Sequence, residues 1–99
     1  MYEHTLFIGL FDKDTHEQKL SVNEFKQIIS STLGDCTIKE GQTGYYTHDN
    51  GVTVTEPSLE VKKFGGSKRS IINMAKQLKT KLNQESIILD TKRSNSTFI

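Results

Sequence analysis

CTIKEGQTGYYTHDNGVTVTEPSLEVKKF, residues 36–64, is the stretch on which the fold turns. Asn50-Gly51 reads as a type I′ hairpin turn, since both central residues of that turn need φ > 0 and Asn and Gly reach it at least steric cost. Val52 and Val54 then alternate with Thr53 and Thr55, the β-branched period of a strand. The first arm, 36–48, is interrupted by Gly41 and Gly44, where a bulge or strong bend is expected. Tyr45 and Tyr46 point to opposite faces, and His48-Asp49 reads as turn chemistry rather than a catalytic dyad. In the return arm, 52–64, Leu59 and Val61 have the opposite parity to Val52 and Val54, so the phase slips across Glu56-Pro57-Ser58. Proline cannot donate to a ladder, which implies a bulge or open edge there, with Glu56 re-aimed away from the regular sheet.

Working outward, each flank of this hairpin carries a helix and then a strand. Ser21-Val22-Asn23-Glu24 is a capping box, and Leu20 is placed to staple onto Phe25. Val22, Phe25, Ile28, Ile29 and Leu33 share one helical face, which Gly34 ends as the left-handed residue. A second helix is predicted from about Lys68 to Asn83, with Ile71, Met74, Ala75, Leu78 and Leu82 on its apolar face. Residues 4–11, HTLFIGLF, form a strand with Leu6, Ile8 and Leu10 on one face and Phe7 and Phe11 on the other. Apolar character on both faces marks a central strand, and Gly9 leaves room for tight packing or a close approach to the backbone. Ile87-Ile88-Leu89 opens a last strand, and 92–99 is a tail that frays or docks on a sheet edge.

The element order is therefore β-α-β-β-α-β, the split βαβ pattern of ferredoxin-like α+β domains. One domain spans 1–99, with an antiparallel four-stranded sheet ordered 4-1-3-2 and both helices on one face. Pro57, in a strand required to be central, fits this order poorly.

The single Cys36 excludes an internal disulfide framework and a Cys-rich zinc site. No apolar run approaches the ~20 residues that span a bilayer, and Glu3 stands where a signal peptide carries positive charge. A cytoplasmic protein with no membrane partner and no cofactor is the expectation. The net charge of +1 hides a split: residues 1–61 carry −6 and residues 62–99 carry +7. Such a split suits an anion-binding surface or self-association, unless the fold interleaves the halves.

No catalytic signature rises above background, and no catalytic residue is assigned. The strongest candidate binding stretch is Lys62-Lys63-Phe64-Gly65-Gly66-Ser67-Lys68-Arg69, two glycines among four bases at a helix start. Helix N-termini suit anions, so Gly65, Gly66, Ser67, Lys68, Arg69 and Lys63 form a candidate anion site, although the phosphate-loop pattern is absent. The sheet face without helices is a candidate partner surface through Phe7, Phe11 and Tyr45, with Val54 beside them. Asp12, Asp14, His16 and Glu17 crowd one loop but lack the glycine and downstream glutamate of a calcium loop, and no metal is assigned.

Thr5-Leu6-Phe7-Ile8-Gly9-Leu10, Glu56-Pro57-Ser58 after the hairpin, and Asn83-Gln84-Glu85-Ser86-Ile87 give the chain a resemblance to small uncharacterised bacterial and phage proteins with a ferredoxin-like domain. The resemblance implies the fold and transfers no catalytic residue. Similar proteins on phage genomes often block host functions, which implies binding more than turnover. The leading expectation is a non-enzymatic binding protein: a homodimer, an accessory of a phage or mobile element, taking a host protein or an anionic ligand. Two alternatives stand beside it. One is a small enzyme of the dimeric α+β barrel kind using His48, Tyr45 or Glu56. The other is a nucleotide or nucleic-acid binder using the basic second helix, through Lys68, Arg69, Lys76, Lys79 and Lys81.

Overall fold

The apolar strand at the N-terminus, β1 (Tyr2–Gly9), lies inside a four-stranded sheet ordered β2-β3-β1-β4. The computed structural model describes residues 1–47 and 49–99; His48 lies outside the described residues. The remaining elements are α1 (Val22–Leu33), β2 (Thr37–Thr47), β3 (Thr53–Phe64), α2 (Lys68–Lys81) and β4 (Ile88–Arg93). All three strand pairings are antiparallel and both helices cover one face, which makes the chain a ferredoxin-like α+β domain.

The core is the layer between sheet and helices. Leu6 and Ile8 of β1, Leu59 and Val61 of β3, Phe25, Ile29 and Leu33 of α1, and Ile71 and Leu78 of α2 are buried there. In α1 the capping box is complete: the Glu24 N–H donates to Ser21 Oγ at 3.1 Å, and the Ser21 N–H donates to Glu24 Oε1 at 3.1 Å. Gly34 ends α1 at φ 76, ψ −141, outside the compact left-handed region and open in practice only to glycine. Regular α2 stops at Lys81 rather than Asn83, because the chain closes in a Schellman motif. Asn83 takes φ 48 and donates to the Thr80 carbonyl, and the Gln84 N–H donates to the Lys79 carbonyl. Lys92 and Arg93 belong to β4, so only 94–99 lack regular structure at this end.

Two sequence expectations about the hairpin change. The turn is longer than a two-residue type I′ turn: Thr47 pairs with Thr53, and Gly51 takes φ 82 while Asn50 does not adopt positive φ. Asn50 instead accepts the Val52 N–H through Oδ1 at 3.0 Å, an Asx turn. The register is also continuous across Glu56-Pro57-Ser58, with no slip in β3. The extra residue is in β2, between Lys39 and Gln42, where Gly41 adopts φ 74. Val54 and Leu59 differ in parity simply because they face opposite sides of one strand.

Pro57 sits where the sheet can lack a donor. Its carbonyl accepts the Leu10 N–H at 3.0 Å, so its backbone faces β1, and β1 ends at Gly9. The missing N–H falls at the last rung, where the inner strand becomes an open edge.

The loop after β1 is tied to the end of α2. Asp12 Oδ1 accepts the N–H groups of Asp14 and Thr15, and the Asn83 amide donates to Asp12 Oδ2 at 2.8 Å and to Asp14 Oδ2 at 2.9 Å. The Asn83 hydrogen bond and then the backbone donors hold the Asp12 carboxyl below its ordinary pKa of 3.8. Among the described residues, no three His, Cys, Asp or Glu side chains converge as a metal ion requires.

Two outcomes follow. Among the described residues nothing lies within 4 Å of a Cβ added at Gly51, so Gly51→Val meets backbone strain and should lower stability by about 1–2 kcal/mol in chemical denaturation. An unchanged midpoint would displace Gly51 from the turn. Because the folded pKa of Asp12 is depressed, its contribution is fully present above pH 3.8 and fades as pH falls through the lower folded value. Asp12→Ala should therefore flatten the acid limb of a stability–pH profile below that pH; an unaltered acid limb would contradict the bonding described.

Candidate functional site

Alternation along β1 sends Glu3, Thr5, Phe7 and Gly9 to the face opposite the helices. There Phe7 stands opposite Glu60 on one side and Ile88 on the other, 36% and 53% exposed for Phe7 and Ile88. Charges of both signs surround this pair, including a Glu3–Lys62 salt bridge of 3.2 Å and, on β4, Asp90 and Lys92. The β2 bulge reverses parity downstream, so Tyr46, paired with Val54, continues this face, while Tyr45, paired with Thr55, points to the other side. Of the three aromatics expected together, Phe7 is therefore on the open face, Phe11 lies half-buried beyond the end of β1, and Tyr45 is exposed on the opposite side. The misplacement of Tyr45 has one cause, the extra residue at Gly41.

At the end of the sheet a buried carboxylate closes over a glycine. Glu56 is 6% exposed and its Oε2 accepts the Phe11 N–H at 2.9 Å. A Cβ at Gly9 would lie 2.6 Å from Glu56 Oε1, so the close approach that Gly9 permits is made by the chain's own carboxyl. Gln84, also buried, donates its Nε2 to the Phe11 carbonyl at 3.0 Å, and the two side chains grip the Phe11 peptide from both ends. Tyr46 Oη and Ser58 Oγ stand 3.4 Å apart nearby. Gly9, Phe11, Tyr46, Glu56 and Gln84 line a cavity of about 70 Å³ that also meets Lys13 and Glu85. That is room for about two waters. Gly9 and Glu56 were each visible in the sequence as irregularities, but only the β1–β3 register brings them together.

The glycine-rich link before α2 is held from beneath. Gly65 and Gly66 take φ 83 and 82, and the Gly65 N–H donates to the Tyr2 carbonyl at 2.8 Å. His4, fully buried, donates Nε2–H to the Gly66 carbonyl at 3.0 Å, and its Nδ1 meets Thr91 Oγ1 at 2.9 Å. A carbonyl only accepts, which assigns the proton to Nε2. Ser67 caps α2, accepting the Ser70 N–H at 3.1 Å. Lys68 and Arg69 are exposed in the first turn, but Lys63 is directed elsewhere, donating to the Asp35 carbonyl at 3.3 Å. Lys62 and Lys63 sit on opposite faces of β3, so the four bases do not converge. Cys36 lies near Lys63, and burial pushes its thiol pKa up against the pull of that lysine.

No protein-family model matches the chain, and no curated protein matches it. Among solved structures, the Arabidopsis thaliana protein At3g17210 is similar over 100% of both chains at 9% identity with a TM-score of 0.49. At that level no residue role passes between them.

The Gly9–Glu56 contact is testable by a double-mutant cycle. Gly9→Ala should destabilise by about 1–3 kcal/mol in the natural background and by at least about 1 kcal/mol less with Glu56→Ala. Simple additivity in urea denaturation would show that the two sites do not touch.

Proposed function

We propose that this protein is a small non-enzymatic binding protein whose uncovered sheet face is its interaction surface, and that the face first pairs with a second copy of the chain. The observation that carries the reading is the Phe7–Ile88 pair, two large apolar side chains side by side in the sheet with no helix above them. Lone exposed apolar residues are ordinary, whereas a paired patch inside a polar rim suits a partner. The rim supports a like copy, because Glu60, Asp90, Lys39, Lys62 and Lys92 place both signs on one face and a two-fold rotation can set each against its opposite.

Binding rather than turnover is supported by the small cavity over Gly9 and Glu56, whose volume of about 70 Å³ is below the roughly 300 Å³ at which small-molecule sites begin. The bases of α2 support nucleic-acid binding less well. Lys81 is directed to Thr32 Oγ1 at 2.9 Å, and the whole chain is close to neutral. No helix of the described residues is long and apolar enough to cross a membrane. The resemblance to bacterial and phage proteins favours an accessory role on a mobile element, with the dimer meeting a host protein in the host cytoplasm. An anion at Ser67, Lys68 and Arg69 is a lesser part of the same reading, resting on the free first turn of α2.

Sedimentation at high micromolar concentration should show a dimer, and Phe7→Asp or Ile88→Asp should weaken it at least about tenfold, or 1.4 kcal/mol, with the circular dichroism unchanged. A monomeric natural chain would sink the proposal. Affinity capture from a bacterial lysate should enrich a protein that Phe7→Asp fails to retain; equal recovery by both would place any host contact elsewhere.

A further inference from the structure

β4 is a free edge of the sheet, and its ladder phase can be read from one bond. The Ser94 N–H donates to the Met1 carbonyl at 2.9 Å, so the even-numbered residues here turn their backbone groups toward β1. Leu89, Thr91 and Arg93 therefore turn their N–H and C=O groups outward. The register with β1 is unbroken from Tyr2–Arg93 to Phe7–Ile88. The other edge, β2, is longer but broken by the Gly41 bulge, a device that deters strand addition.

Alongside the β4 edge, on the helix side, runs a groove of about 210 Å³ between α2 and β4. Ile72, Ala75, Ile87 and Leu89 form its apolar floor, and Lys76 and Lys79 stand at its rim. Lys92 and Arg93 extend the positive charge along the strand, with Asp90 the single acid of β4. This rim selects the occupant. A second copy paired on the same edge would bring two helix-side rims of one sign together, each carrying Lys76, Lys79 and Arg93, which is unfavourable.

We infer that the β4 edge and this groove take an extended acidic segment of a partner protein as a fifth strand. Main-chain hydrogen bonds to Leu89, Thr91 and Arg93 supply the attachment, an apolar side chain of the segment fills the groove beside Leu89, and its carboxylates meet Lys76 and Lys79. The surface is separate from the Phe7–Ile88 face, so loss of the dimer leaves it intact.

The probe is a capped heptapeptide, Thr-Glu-Thr-Val-Thr-Glu-Thr, whose valine and two glutamates share one face of an extended strand, compared with its counterpart carrying lysine in place of both glutamates, titrated into the isotope-labelled full chain. The glutamate peptide should shift the amide resonances of Leu89, Thr91 and Arg93 and slow their hydrogen exchange. The lysine peptide should bind at least about fivefold more weakly, and Lys76→Glu with Lys79→Glu should invert the preference. Phe7→Asp should bind the glutamate peptide as the natural chain does. Equal response to both peptides, shifts confined to β2 or the open face, or no shift at all would each overturn the inference.

Discussion

β1 is paired on both sides at once, and its register constrains everything else. Leu6 stands opposite Val61 on β3 and Leu89 on β4, and Ile8 stands opposite Leu59. Leu6 and Ile8 are fully buried, each contributing about 1.5–3 kcal/mol through its apolar surface. A slip of one residue would move both to the open face and bring Phe7 into the core layer. The helices are then assigned their side of the sheet, because only the Leu6–Ile8 strip offers α1 and α2 a continuous apolar surface. The open face is what remains, and it carries Phe7 because Phe7 alternates with the core residues.

Each end of β1 adds a buried polar group that fixes a loop. At the start, His4 ties the Gly65-Gly66 link to Thr91 of β4. At the finish, β1 stops one rung short of Pro57, so Glu56 folds over Gly9 and holds the Phe11 peptide with Gln84. A buried carboxyl and a buried imidazole are costly unless hydrogen-bonded; here the Glu56 carboxyl accepts the Phe11 N–H, and His4 meets both Thr91 and the Gly66 carbonyl. These contacts place the β1–α1 loop, the α2 start and the α2–β4 link relative to the sheet.

The charge split along the chain is only partly erased. β1, from the acidic portion, lies between β3 and β4, and ion pairs such as Glu3–Lys62 join the two portions. Lys26–Glu40 at 2.6 Å joins α1 to β2 within the acidic portion. α2 and β4 both come from the basic portion and pack side by side, so positive charge stays concentrated along one edge. That edge and the mixed-sign open face therefore differ in their charge pattern.

The element order, the capping box at Ser21, the apolar faces of both helices and the central place of β1 were legible in residues 1–99, because each rests on local chemistry and short-range periodicity. The bulge was legible as glycines at 41 and 44, though not which glycine held it or that it would exchange Tyr45 for Tyr46 on the open face. Local pattern also overstated two features, a two-residue turn at Asn50-Gly51 and a phase slip at Pro57. The first failed because an Asx turn satisfied the same residues with a longer loop; the second failed because a proline at a terminal rung breaks no interior bond. The union of Gly9 with Glu56, the anchoring of Gly66 by His4, and the divergence of Lys62 from Lys63 around the expected anion site depend on pairings between residues 28 to 62 positions apart. Such contacts follow from strand register and helix placement, which are properties of the assembled sheet and have no periodic trace in the chain.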